Sequence, residues 1–168
     1  PQTVVYAFVL NDVPLAEAAP SDGTDIAFQL PNRQAYTEAI ASHPLWGTIV
    51  NHSAIGRLVA ERLITRRVHH ETRQLYRDTY AESNKAAFED AMSLIVAMNE
   101  LATRDGGRML VAVWPLLESL EDYPFEGIHA RIRAALEARQ IPTLDLLDAF
   151  RGRDAEALHV HATDHHPN

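Results

Sequence analysis

Three short runs of β-branched and aromatic residues punctuate the chain, and their spacing restricts the fold more than any other feature. They are residues 3–10 (TVVYAFVL), 109–114 (MLVAVW) and 141–147 (IPTLDLL). Continuous apolar runs of this length suit strands buried on both faces, as in a parallel sheet. Asn11-Asp12 breaks the first run and Pro115 stops the second. Helical patterns lie between the runs, and neighbouring parallel strands need such crossovers. The rhythm therefore predicts an α/β fold with a parallel sheet and right-handed connections.

Residues 13–33 hold Pro14, Pro20, Gly23 and Pro31 and read as a surface loop. From Gln34 to Tyr80 the pattern is helical. Leu45, Ile49, Ile55, Val59 and Leu63 recur at mostly three- to four-residue steps, with a break near Gly56. Arg57, Arg62, Arg66, Arg67, Arg73 and Arg77 decorate the same stretch. A basic stripe can rest on an anionic membrane or polymer, although a solvated helix face is its commoner meaning, and His69-His70 fit such a face. A cleaner helix starts from Ser83 as N-cap, with Phe88, Ala91, Ile95, Met98 and Leu101 on one face, and Gly106-Gly107 ends it. A further helix carries Phe125, Ile128, Ile132 and Leu136. Tyr123-Pro124-Phe125 and His129 suit either substrate contact or a helix start packed on the core.

At 168 residues the chain corresponds to one domain able to bury a sizeable core. A net charge of −8 argues against a broad nucleic-acid footprint, which needs surplus lysine and arginine. No apolar run approaches the roughly 20 residues that cross a bilayer, so no transmembrane segment is expected. The absence of cysteine excludes disulfides, thiolate metal sites and cysteine nucleophiles together.

The densest cluster of chemistry-bearing residues is the last stretch, His159-Val160-His161-Ala162-Thr163-Asp164-His165-His166-Pro167-Asn168. A carboxylate two residues from an imidazole can hold its tautomer and stabilise the imidazolium. Pro167 discourages helix before it, so the histidine is expected on a loop. His159 and His161 fall on one side of an extended segment, yet two histidines without a clear third ligand do not define a metal site. In open α/β sheets, ligands bind beyond the carboxyl ends of the strands. Asn11-Asp12 and the Asp164–His166 segment both follow strands, so the two motifs are expected on one rim.

With both ends in view, the chain resembles the later part of an SGNH (GDSL-type) hydrolase. In that family a strand ends in Gly-x-Asn-Asp; here Val9-Leu10-Asn11-Asp12 keeps Asn-Asp, with Val9 where the glycine stands. The family's closing motif is Asp-x-x-His-Pro, shortened in some branches to Asp-x-His, and Asp164-His165-His166-Pro167 fits the shorter form. The resemblance implies a three-layer α/β/α, flavodoxin-like fold with residues 34–80 as a helical insertion. It implies Asp164 as the orienting acid, His166 as the general base and Asn11 as an oxyanion donor, with Asp12 and His165 accessory. Asp12 is expected chiefly to brace the loop after the strand. Hydrolysis of a small-molecule, carbohydrate or lipid ester follows, with no metal or organic cofactor.

The family's first two motifs are absent. There is no Gly-Asp-Ser, and none of Ser21, Ser42, Ser53, Ser83, Ser93 or Ser119 follows a buried strand on a glycine turn. The resemblance then implies a fragment of one domain, incomplete at both ends and inactive alone, whose serine lies upstream of Pro1. Two other readings compete. Asp164-His165-His166 resembles the signature of DHH-type manganese phosphoesterases, for which Asp145 is the nearest candidate among the further aspartates required. Alternatively, the chain is a non-catalytic polysaccharide-binding domain on a degenerate hydrolase fold.

Overall fold

The computed structural model describes residues 2–15, 31, 33–117, 119–161 and 164–167, with the backbone alone at 156 and 159–167. Most of the proline-containing stretch between the first strand and the first helix therefore lies outside the described residues. The chain divides into two compact units, one of Pro1–Glu17 with Tyr80–Asn168, the other Ala18–Thr79.

The first unit is α/β, built on a three-stranded parallel sheet in the order β1 (Thr3–Phe8), β2 (Arg108–Val113), β3 (Thr143–Asp145). Register pairs Val4 with Met109 and Phe8 with Val113, and then Val111 with Thr143 and Val113 with Asp145. Helix α4 (Lys85–Arg104) packs on β2, and α5 (Glu126–Ala138) packs on β3. The two helices lie side by side, because Arg131 of α5 stacks 4.5 Å from the Phe88 ring centroid of α4 and Arg139 pairs with Glu89 at 2.5 Å. Together they bury the sheet face that carries Phe8, Met109, Val111 and Val113. Phe88, Met92 and Ile95 of α4, with Ile132 and Leu136 of α5, supply the facing layer.

Several boundaries differ from the sequence reading. β1 is not buried on both faces: Val5 is 60% exposed and Val4 is also exposed. The reason is that β1 is an edge strand among the described residues, and that α4 and α5 lie together on the Phe8 face. Leu144 of β3, on the face of Val5, is 49% exposed for the same reason. Strand β3 is shorter than the apolar run, since Leu147 opens a short helix α6 (Leu147–Phe150). The N-cap position of α4 is Asn84 rather than Ser83, and Met92 rather than Ala91 holds the centre of its buried face. Met98 and Leu101 are exposed towards its end.

The second unit holds α1 (Arg33–Ser42), α2 (Pro44–His52) and α3 (Ala54–Thr79). His43 caps α2, accepting from the amides of Leu45 and Trp46, and Pro44 occupies its first turn. The breaks fall at His43 and Ser53, not at Gly56. Gly56 is instead inside α3, where a Cβ would meet Ile49 Cγ2 at 2.6 Å. The small side of the helices faces inwards: Gly47, Gly56 and Ala60 are buried together with Ile64. Leu45, Ile49, Ile55, Val59 and Leu63, whose spacing marked the helices, are all exposed. Close backbone approach is the physical reason, because helices meeting at glycine leave no room for large side chains between them.

Candidate functional site

At the carboxyl end of β1 the chain leaves the strand through Val9 and folds a 3-10 turn over Leu10–Asp12. Apolar anchors flank the turn: Phe8, Leu10 and Val13 are buried. The Tyr80 hydroxyl donates to the Leu10 carbonyl at 3.0 Å, and the Asn84 amide donates to the Pro14 carbonyl at 2.9 Å. Asp12 turns back on the strand. Its Oδ2 accepts from the Tyr6 hydroxyl at 2.9 Å and from the Val9 amide at 3.0 Å. Burial, then the charge of Asp12 and its hydrogen bond, push the Tyr6 phenol up to about 12. A carboxylate oxygen that takes a donor from the strand and another from the backbone braces the turn. Asn11, between the braced residues, is exposed. Its side chain makes no hydrogen bond among the described residues.

The closing motif lies in a two-stranded antiparallel hairpin, β4 (His159–His161) and β5 (Asp164–Pro167), rather than in a loop. Extended backbone satisfies the restriction that Pro167 places on its neighbour, and β4 offers a pairing edge. His161 pairs with Asp164 and His159 with Pro167. The side chains of Asp164, His165 and His166 lie outside the described residues, so their meeting with Asn11 stays an expectation.

Tyr123, His129 and Asp145 meet in a second cluster that the sequence does not join. His129, on the buried face of α5, has Nδ1 2.8 Å from Asp145 Oδ1 and Nε2 3.1 Å from the Tyr123 hydroxyl. The Tyr123 oxygen also accepts from the Leu116 amide at 3.0 Å, and the Asp145 carboxylate, an acceptor only, calls for a proton on His129 Nδ1. Nδ1 then carries the imidazole proton and donates it to Asp145. Asp145 Oδ1 also takes the Leu147 amide at 3.0 Å, and Arg133 lies 3.5 Å from Oδ2. Burial lowers the His129 proton affinity, with Asp145 opposing the effect. Tyr123, Phe125 and His129 are thus buried, as a helix start packed on the core would have them.

Outside this clasp is a depression of about 360 Å³ lined by Glu126, Arg133, Asp145, Asp148 and Arg151. Its charges are mostly paired, with Arg151 bridging Glu126 at 2.6 Å and Asp148 at 3.2 Å. Both nitrogens of His129 are engaged, so the imidazole cannot serve a substrate there without opening the network. The clasp ties the segment after β2 to α5 and to the end of β3. The signal for it was His129 itself, a polar residue in step with Phe125, Ile132 and Leu136 on the inner face of a helix.

No family model, curated protein or solved structure matches this chain.

Proposed function

We propose that the chain is the acid–base part of an SGNH-type serine ester hydrolase, with the nucleophilic serine supplied by sequence ahead of Pro1. The observation that carries this reading is Asn11, an exposed amide on a braced turn at the carboxyl end of the first strand of a parallel sheet. Asp12 and the anchors around it fix the backbone, which is the preorganisation that an oxyanion donor requires. His166 takes the proton of the serine as it attacks the ester carbonyl and returns it to the leaving alkoxide. Asp164 holds the imidazole through its other nitrogen. Asn11 donates to the carbonyl oxygen as charge develops on it. The competing metal-phosphoesterase reading loses support at Asp145, whose carboxylate is already taken by His129, Leu147 and Arg133.

The test is turnover of a short-chain aryl ester by the intact protein. His166→Ala and Asp164→Asn should each lower kcat by about 10⁴-fold. Asn11→Ala should lower it by about 10²–10³-fold, while His165→Ala costs far less. An unchanged rate in Asn11→Ala would reduce Asn11 to a turn residue and remove the observation on which the reading rests.

A further inference from the structure

The helical unit has an inverted distribution of side chains. Its buried side uses Gly47, Gly56 and Ala60 with Ile64, while seven of its large apolar residues are exposed. Leu45, Trp46 and Ile49 of α2 are exposed, as are Ile55, Leu58, Val59 and Leu63 of α3. Leu45 is 72% exposed and Ile55 76%. Monomeric proteins rarely leave so many large apolar side chains in water side by side.

The same face of α3 changes character along its length. Ile55, Val59, Arg62, Arg66, Arg73 and Arg77 recur at three-, four- or seven-residue steps and share one stripe of the helix. The stripe runs roughly 33 Å at 1.5 Å per residue. It begins apolar and ends basic, where Arg66, His69, His70, Arg73 and Arg77 line an open groove. Arg62, Arg66 and Arg77 form no ion pair among the described residues. Residues 33–79 hold seven arginines against Glu38, Glu61, Glu71 and Asp78, in a chain whose net charge is −8. The basic surplus is therefore gathered on this one element.

We propose that the outward face of α2 and α3 is a docking surface for an anionic phospholipid bilayer. An interfacial helix lies in the membrane plane with its apolar side chains among the acyl chains and its arginines on the headgroup phosphates. Trp46 is suited to the headgroup level, where an indole has both an apolar body and a polar N–H. Among the described residues no helix is long and apolar enough to cross a membrane. An acidic polymer would use the arginines and leave seven large apolar side chains in water. A second copy of the chain would set the arginines against their own kind if the stripes packed parallel, and against the apolar end if they packed antiparallel.

The test is sedimentation of the full chain with phosphatidylcholine vesicles, with and without phosphatidylglycerol. Binding is expected only where the anionic lipid is present, and it should weaken as salt is raised. In a Trp114→Phe background, Trp46 emission should shift to the blue on binding. Arg66→Gln with Arg77→Gln should lower partitioning roughly tenfold or more. Leu58→Gln with Leu63→Gln should abolish the shift. All four positions are exposed, and helical circular dichroism checks that the variants fold. Absence of binding to anionic vesicles, or equal binding to neutral ones, overturns the proposal. So does capture by an acidic polysaccharide without any vesicle binding, or a dimer that Leu58→Gln dissociates.

Discussion

Replacing Tyr123 with phenylalanine isolates the buried clasp. The ring stays, with its edge-to-face contacts to Phe125 and to His129 at centroid distances of 5.6 and 5.3 Å. Only the hydroxyl is lost, and with it the acceptor for the Leu116 amide and the donor to His129 Nε2. His129 is 1% exposed, so its Nε2 is left buried without a partner; the Leu116 amide is only part-buried and can recover water. A buried group left unsatisfied costs about 1–3 kcal/mol, and the wetter one lies at the low end of that range. The sum is about 2–4 kcal/mol. With a urea m-value of about 2 kcal/mol/M, the unfolding midpoint should fall by about 1–2 M at unchanged m. In a His129→Leu background the same substitution should cost less by about 1 kcal/mol, because one of the two orphaned groups is already gone. A midpoint shift below about 0.25 M, or strict additivity of the two substitutions, would refute a clasp in which Tyr123 and His129 depend on each other.

Burial lowers the proton affinity of His129, so between its ordinary value near 6.5 and the lower folded value the unfolded chain binds more protons. Stability should therefore be fully present above about pH 6.5 and decline as pH falls below it. Urea midpoints measured against pH should show this slope, and His129→Gln should flatten it. Asp12→Ala deprives the Tyr6 hydroxyl and the Val9 amide of their acceptor and should cost about 1–3 kcal/mol. Ultraviolet titration should find the Tyr6 phenol, now at about 12, lowered only part of the way, since burial is the larger cause. Gly56→Ala places a methyl 2.7 Å from the Ile49 carbonyl oxygen and should destabilise the helical unit by about 1–3 kcal/mol, read as lost helical circular dichroism on heating.

The two longest strands were legible because each is a dense run of β-branched and aromatic residues closed by a breaker, Asn11-Asp12 and Pro115. The third was overextended, since nothing local distinguishes Leu144 in the strand from Leu147 in the helix that follows. In the helical unit the spacing of Leu45, Ile49, Ile55, Val59 and Leu63 showed an apolar stripe, but not which way it faces. That direction is set by Gly47 and Gly56, whose missing side chains let the helices approach. The bracing role of Asp12 was legible, because a carboxylate just past a strand end has backbone amides within reach. The partnership of Tyr123, His129 and Asp145 was not, because it joins a loop, a helix and a strand through tertiary packing. A histidine in step with the core residues of its helix was the one clue.

The pairing of Thr3 with Arg108 has a kinetic consequence. β1 and β2 are adjacent in the sheet, yet the entire helical unit and α4 intervene between them in the chain. Closing a loop of roughly 100 residues is entropically slow, whereas β2, α5 and β3 are near neighbours in sequence and α1, α2 and α3 need only local contacts. Each halving of the effective loop, as when the helices condense first, lowers the closure cost by only about 0.6 kcal/mol. The first strand of the chain should then be the last to join the sheet, with substitutions such as Phe8→Leu, at a buried position of β1, altering the unfolding rate and scarcely the folding rate. The turn that presents Asn11 is continuous with that strand, so any chemistry at this rim would mature only in the final step of folding.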